Sequence, residues 1–403
     1  MPDAYAESMV STSLTLAALA TSAVAGLNVQ SVRMHSGGGE GEFTSAVLTT
    51  PDGEYLIQVP QNAAAESRQS GEMLGVSAFA EGARSWLPFA LPQTIGVTRA
   101  GETRAVVSTF LPGEHFSAED LESEALLLQP LAEMIAAIHQ LPDSLILQAG
   151  LPARTSAQVR EQLTRFVAKA AETRLLPETV HAHWTSLLAN EALWDFAPAV
   201  IHGSLDADQL LITDDAITGV LGWSELSAGD PAVDLAWLLE AGPDVFDAVL
   251  ARYAAERRIG GIRDLRTRAM LHNELGVARW LLHGYESHDQ GIIDDAVAML
   301  DRLVDRVRHT GVQQPERSVL GEREVEQLLE ETPGELIDAR SETAEYEALD
   351  EDRAFVVDRD FADDLQATEP ISPLEEAAVA ESDADERGAG TNGTAAVTDE
   401  GAR

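Results

Sequence analysis

Cysteine is absent from the 403 residues, and lysine is nearly so, Lys169 being its one occurrence. Without cysteine there are no disulfides and no thiolate metal sites, a usage that fits the reducing cytoplasm. The ten histidines show no ligand spacing such as His-Glu-x-x-His, so a zinc site of the usual kind is not expected. Cationic charge is scarce in general: 27 basic residues face 68 acidic ones, for a net charge of −41. A surface this acidic repels phosphate backbones, which argues against nucleic acid as a partner. It also repels ATP unless local basic groups focus it. Acidic clefts suit polycationic amines, yet the same excess serves solubility or salt adaptation equally well. There is no uninterrupted apolar run of 18 residues, so no membrane span is expected. The small and apolar stretch Met9–Leu27 follows Asp3 and Glu7 rather than a basic segment, and Thr and Ser interrupt it. It is read as the first helix, not as a targeting signal.

Composition allows a sizeable core, with 45% apolar and 24% charged residues. Three regions separate along the chain. Residues 1–113 read as a small α+β lobe. A helix near Leu14–Ala25 precedes strands near Val29–His35, Phe43–Thr49 and Tyr55–Val59. A helix near Ala63–Ala80 and strands near Gln93–Thr98 and Arg104–Phe110 follow. Residues 114–310 read as a helical lobe. Pro130 is expected to open a helix whose apolar stripe is Leu131, Met134, Ile135 and Ile138. Further helices are expected at Ala157–Ala171, Pro177–Ala189, Pro231–Leu239, Val245–Glu256, Asp264–His283 and Gln290–His309, with a small hairpin from Gln209–Thr213 and Ile217–Gly222. Residues 311–403 carry 27 acidic and 7 basic side chains, about half the net charge. That is the composition of a disordered acidic tail. Its short apolar patches, Val319–Leu329, Ala354–Leu365 and Ile371–Ala380, read either as helices that dock on a partner or as segments without a role.

The most specific segment is Val200–Trp237, VIHGSLDADQLLITDDAITGVLGWSELSAGDPAVDLAW. It resembles the catalytic segment of the aminoglycoside and macrolide phosphotransferases, whose fold is related to the protein kinases. The family pattern is His-Gly-Asp-Leu-His-x-x-Asn, a strand pair, then Ile-Asp-Trp and Gly-Asp-Pro-x-x-Asp-Leu-Ala. The frame is present here as His202-Gly203, Trp223 and Gly229-Asp230-Pro231-Ala232-Val233-Asp234-Leu235-Ala236. Its centre is not. The resemblance puts Ser204 at the catalytic Asp position, and Gln209 and Gly222 at the metal-binding Asn and Asp positions. Phosphoryl transfer relies on a carboxylate to orient the attacking hydroxyl and on oxygens that hold Mg²⁺ against the phosphates. Ser204 accepts no proton near neutrality, Gln209 is a methylene too long, and Gly222 brings no side chain. In the family, the Asp-Pro-x-x-Asp stretch and the first His brace the loop; so Asp230, Asp234 and His202 are expected to be structural. His139, in Ile138-His139-Gln140-Leu141-Pro142, is expected to be a satisfied core histidine.

The first lobe repeats the pattern. Gln58 stands where the resemblance implies the third-strand cation that binds phosphates, and Glu72 matches that cation's partner. Arg68, one turn before Glu72, reads as a surface pair with it at i,i+4 spacing or as a surrogate cation. Phe110 and Leu111, before Pro112-Gly113, match the hinge whose backbone binds an adenine edge. The Gly37-Gly38-Gly39 run between the first two strands suits a phosphate-covering loop, or is a hairpin turn lengthened by glycines; Glu40 and Glu42 would set carboxylates beside any phosphate.

The implied fold is α+β, a bilobal protein-kinase-like (aminoglycoside phosphotransferase-like) protein with a disordered acidic C-terminal tail. The implied function is that of a pseudokinase, a family member without catalysis acting as a binding or regulatory module. It would have no cofactor, and an unknown protein or small molecule as its partner. One alternative is an active ATP- or GTP-dependent small-molecule kinase, with Mg²⁺ and ATP, using Asp206 or Asp208 as base and Glu225 as metal ligand. The other is an adaptor that works through its acidic tail.

Overall fold

The computed structural model describes residues 2–36, 41–122 and 124–313. The chain divides into two units, Met1–Arg317 and Ser318–Arg403, and every described residue falls in the first. The expected tail and its three apolar patches lie outside the described residues, as does the triglycine run.

The N-terminal part is a five-stranded antiparallel sheet backed by a helix. Helix α1 (Pro2–Ala23) begins earlier than the apolar run suggested. Strands β1 (Ser31–His35), β2 (Phe43–Thr50) and β3 (Gly53–Pro60) follow, then helices α2 (Ala63–Ala78) and α3 (Glu81–Arg84), then strands β4 (Thr94–Ala100) and β5 (Thr103–Thr109). The sheet order is β1-β2-β3-β5-β4. Strand alternation puts Ala46, Leu48, Ile57, Ala105 and Val107 on one face, where they bury against Leu16 and Ala20 of α1. Register Ser45↔Gln58↔Val106 puts Gln58 on the opposite face, which α2 covers. Asn62 starts α2 by accepting the Ala65 N–H at 2.8 Å.

The helical part holds α4 (Leu128–His139), α5 (Asp143–Gln148), α6 (Ser156–Glu172), α7 (Glu178–Ala189), α8 (Pro243–Arg257), α9 (Ile262–Ser287) and α10 (Gln290–Gln313). Two small strand pairs lie between α7 and α8: β6 (Ala199–Ile201) with β9 (Ser227–Gly229), and β7 (Leu210–Thr213) with β8 (Ala216–Val220). The stripe Leu131, Met134, Ile135 and Ile138 is fully buried, as its spacing requires. Together with Phe246, Val249 and Tyr253 of α8 it forms the core beneath the β6–β9 loops. A second core joins Trp184 of α7 to Leu271, Leu275 and Leu281 of α9 and to Leu300 and Leu303 of α10.

Three expectations need correction. Pro130 does not open α4; it is the third residue, still inside the first turn, where a missing N–H breaks no helical bond. The α-helix expected at Pro231–Leu239 is instead a 3-10 helix over Val233–Ala241. Its tight winding goes with the buried carboxylates of Asp230 and Asp234, which are held from outside the segment. The last helix runs past His309 to Gln313. The strand pair β6–β9 and the short α5 had no sequence signal strong enough to predict.

Candidate functional site

Two buried carboxylates hold the loop after β6. Asp234 accepts the backbone N–H groups of His202 at 2.7 Å and Gly203 at 2.8 Å, and lies 3.1 Å from His139 Nε2. Burial pushes the Asp234 carboxyl up, but the His139 hydrogen bond and charge and the Gly203 N–H outweigh it and hold the group below the usual range. His139 Nδ1 meets the Tyr253 hydroxyl at 2.8 Å, so it is the core histidine its setting implied. Asp230 accepts Arg268 Nε at 3.0 Å, His272 Nε2 at 3.1 Å and the Ala232 N–H at 3.0 Å. Burial raises it, and these partners together bring it below the usual carboxylate range. His202 reaches the Leu221 carbonyl at 2.8 Å and packs edge-on against Trp223. Burial lowers its imidazole pKa. All three read as braces from sequence, and all three brace.

Above this base, Ser204 and Gln209 each meet Gly222. Gly222 is left-handed, φ +76°, a conformation suited to glycine. A Cβ built on it would lie 2.0 Å from Gln209 Oε1 and 2.8 Å from Gln209 Cδ. The longer amide thus occupies the space into which a side chain at 222 would project. Gln209 Nε2 donates to Asp208 at 2.9 Å, and Ser204 Oγ donates to the Gly222 carbonyl at 3.3 Å. A magnesium ion does not fit this donor set: Gly222 supplies no oxygen from a side chain, and the Gln209 amide is turned onto Gly222. Among the described residues no group of three or more His, Cys, Asp or Glu is arranged to hold a metal ion.

The candidate substitutes are dispersed. Asp206 caps the turn Ala207–Gln209 by accepting the Ala207 N–H at 2.6 Å. Burial, with Asp208 nearby, raises its carboxyl above the usual range. Glu240, which sequence reasoning passed over, is raised by burial and by Asp206. Asp208 is exposed and accepts from Gln209, and Glu225 is exposed in the turn Trp223–Glu225.

From the other side, α2 lies directly on the segment Gly222–Ser224. A Cβ at Gly75 would meet the Trp223 carbonyl oxygen at 2.1 Å, and one at Gly71 the Ser224 carbonyl oxygen at 3.0 Å. Between them Glu72 accepts the Gly222 N–H at 3.3 Å. Its carboxyl is raised by burial, against the effect of that N–H. Arg68 does not pair with Glu72. It forms a two-pronged ion pair with Glu42, just before β2, one prong at 2.8 Å. Gln58 lies across from Glu72 on β3, and both line one small cavity. At the hinge the Phe110 N–H is taken by the Glu54 carbonyl at 3.1 Å. The Phe110 ring meets His35 edge-on at 5.8 Å and lies under Arg33 at 5.9 Å. Leu111 is half-buried beside Gly219. The Gly71-x-x-x-Gly75 spacing was a readable signal of close backbone approach, since helix positions four apart share a face.

No described helix is long and apolar enough to cross a membrane. Residues 33–271 match the model of the phosphotransferase enzyme family. An uncharacterised protein of Bacillus subtilis strain 168, YcbJ, is 24% identical over 108 residues, 27% of this chain and 35% of its own length. The chain therefore spans about a third of that relative. Among solved structures, macrolide 2'-phosphotransferase MphH from Brachybacterium faecium matches 71% of this chain and 96% of its own, at 20% identity and a TM-score of 0.58. The GDP complex of wild-type aminoglycoside 2'-phosphotransferase-IIIa matches 73% and 99%, at 16% identity and a TM-score of 0.59. Likeness at this identity speaks for the fold, a bilobal kinase-like one.

Proposed function

Because the chain belongs to the phosphotransferase enzyme family yet its Gln209 fills the space beside Gly222, we propose that it is a non-catalytic member, a binding or regulatory module. The contact between those two residues carries the reading. A metal site that had merely lost a ligand would keep an open space there; this one is closed by an amide tied to Asp208. Missing charge tells the same way. Transfer needs cations at the phosphates and an oriented base, and neither Gln58 nor Ser204 supplies one. The cleft instead offers a small molecule or a protein segment a surface shaped by the same frame.

The test is thermal stability with millimolar ATP or GTP, with and without Mg²⁺. Little shift is expected, since stabilisation follows RT ln(1 + [L]/Kd). A Mg²⁺-dependent rise of several degrees would overturn the reading. No phosphorylation of an aminoglycoside or macrolide above a buffer control is expected either. The combination Ser204→Asp, Gln209→Asn, Gly222→Asp and Gln58→Lys should regain more than any partial set, because such groups act as a unit. Gly222→Asp alone should gain nothing, because Gln209 stands in its way.

One observation favours the rival reading, an active kinase with a displaced base. Asp206 lies at the surface with its carboxyl half-buried, and that burial, with Asp208 nearby, raises the group above the ordinary range, which moves it toward the working range of a general base. Phosphorylation that disappears in Asp206→Asn would establish that rival.

A further inference from the structure

The site at issue lies between β3 and α2, behind the segment Gly222–Ser224. A cavity of about 30 Å³ is lined there by Gln58, Gln69, Glu72, Thr94 and Ser108, with Val76 and Val106 closing its apolar side. That is room for one small guest, since a single water needs about 10–15 Å³ on the same measure. Gln69 is 4% exposed and its Nε2 donates to the Gln58 carbonyl at 3.2 Å. The other end of that amide, Gln69 Oε1, is buried with no partner. Glu72 presents a carboxylate to the same space, and its one hydrogen-bond partner is the Gly222 N–H. No lysine or arginine lines the cavity. Arg68, which shares a helix face with Glu72, is bound to Glu42 and acts on Glu72 only through its charge at longer range.

A largely buried carboxylate beside an unpartnered amide oxygen asks for a small guest that carries positive charge and takes oxygen partners. Water satisfies the oxygen but leaves the carboxylate with only the Gly222 N–H and the longer-range charge of Arg68, and incompletely paired charge is the costly part of burial. We propose that this cavity binds a small monovalent cation of the ammonium or potassium kind, held by Glu72 and Gln69 Oε1, with Gln58 and Ser108 as flanking oxygens. The site would be independent of nucleotide and of any phosphoryl transfer, and would tie β3 to α2 through a free ion rather than a tethered side chain.

The experiment uses the full-length protein without nucleotide at pH 7 and constant ionic strength. Melting is followed in ammonium chloride, potassium chloride and tetramethylammonium chloride at about 100 mM. Ammonium or potassium should raise the melting temperature by roughly 1–3 °C over tetramethylammonium, which is too large to enter. In Gln58→Lys the tethered ammonium should fill the site and abolish the difference between salts while keeping the melt cooperative. Gln69→Leu, which removes the oxygen and keeps the volume, should shrink it at least threefold in apparent affinity. Equal melting in all three salts would mean that the cavity holds water only and would overturn the proposal. So would a difference that persists unchanged in Gln58→Lys.

Discussion

The brace under the loop and the centre of the loop lie a few residues apart but are built in opposite ways. Asp230 and Asp234 are buried, and each meets three partners at hydrogen-bond distance. Ser204 and Gln209 each meet Gly222, and Gln209 also meets the exposed Asp208. In the brace, every removed group leaves a buried donor or charge behind, whereas the centre is open to water that can replace what is lost. The frame is thus fixed by folding, whatever the chemistry at its centre. Its residues hold up the fold, and those at the centre do not.

This contrast breaks first at Asp234. Asp234→Ala strands the N–H groups of His202 and Gly203 together with His139, and should cost about 3–5 kcal/mol, the range for breaking a buried charged pair. Chemical denaturation of the variant against the parent measures it. A loss under about 1 kcal/mol would mean that the loop does not depend on this carboxylate.

Next is the seat of α2. Gly75→Ala sets a methyl against the Trp223 carbonyl oxygen, a backbone atom that cannot swing away, and should cost roughly 2 kcal/mol by overpacking. Gly71→Ala meets its neighbour at 3.0 Å and should cost less. Equal melting temperatures for the two variants would contradict the seat as described.

Acid should act on the brace before it acts on the centre. His202 refuses a proton in the folded state, because burial lowers its pKa. Unfolded histidine accepts one near pH 6.5, so the unfolded chain binds more protons as pH falls and this group lowers stability by at most about 1.4 kcal/mol per unit. His35, lowered by burial and by Arg33 and His115, adds to the loss. Asp230 and Asp234, held low, contribute stability above the ordinary carboxylate range and lose it below about pH 4. Glu72 has the opposite sign: its raised pKa means protonation relieves the folded state. Denaturation midpoints should fall between pH 7 and 5.5, and fall further in Glu72→Gln, which lacks that relief.

The smallest effects belong to the centre. Ser204→Ala and Asp208→Ala should each change stability by no more than about 0.5 kcal/mol, as surface changes do. A loss of 2 kcal/mol at either would place the centre with the brace.

Much of this was legible in the chain itself. Loop composition and β-branched runs located all five strands of the first sheet, and periodicity located the stripe of α4. Bracing roles for Asp230, Asp234 and His202, and a core role for His139, were readable because Asp-Pro-x-x-Asp and the Ile-His-Gln-Leu-Pro ending occur within a recognisable frame. That Ser204 carries no carboxylate and Gly222 no side chain was readable too, since a functional group is a property of the residue alone. What no one-dimensional pattern carried was what the neighbours do about it. That Gln209 folds over Gly222, that Arg68 turns to Glu42 rather than Glu72, and that two glycines let α2 rest on the Trp223 backbone are decided by distances between residues 13 to 153 positions apart. Local sequence sets which groups exist and which face of an element they occupy. Close packing of the lobes decides which of them meet, because in a dense interior a space left by one side chain is taken by whichever neighbour can reach it.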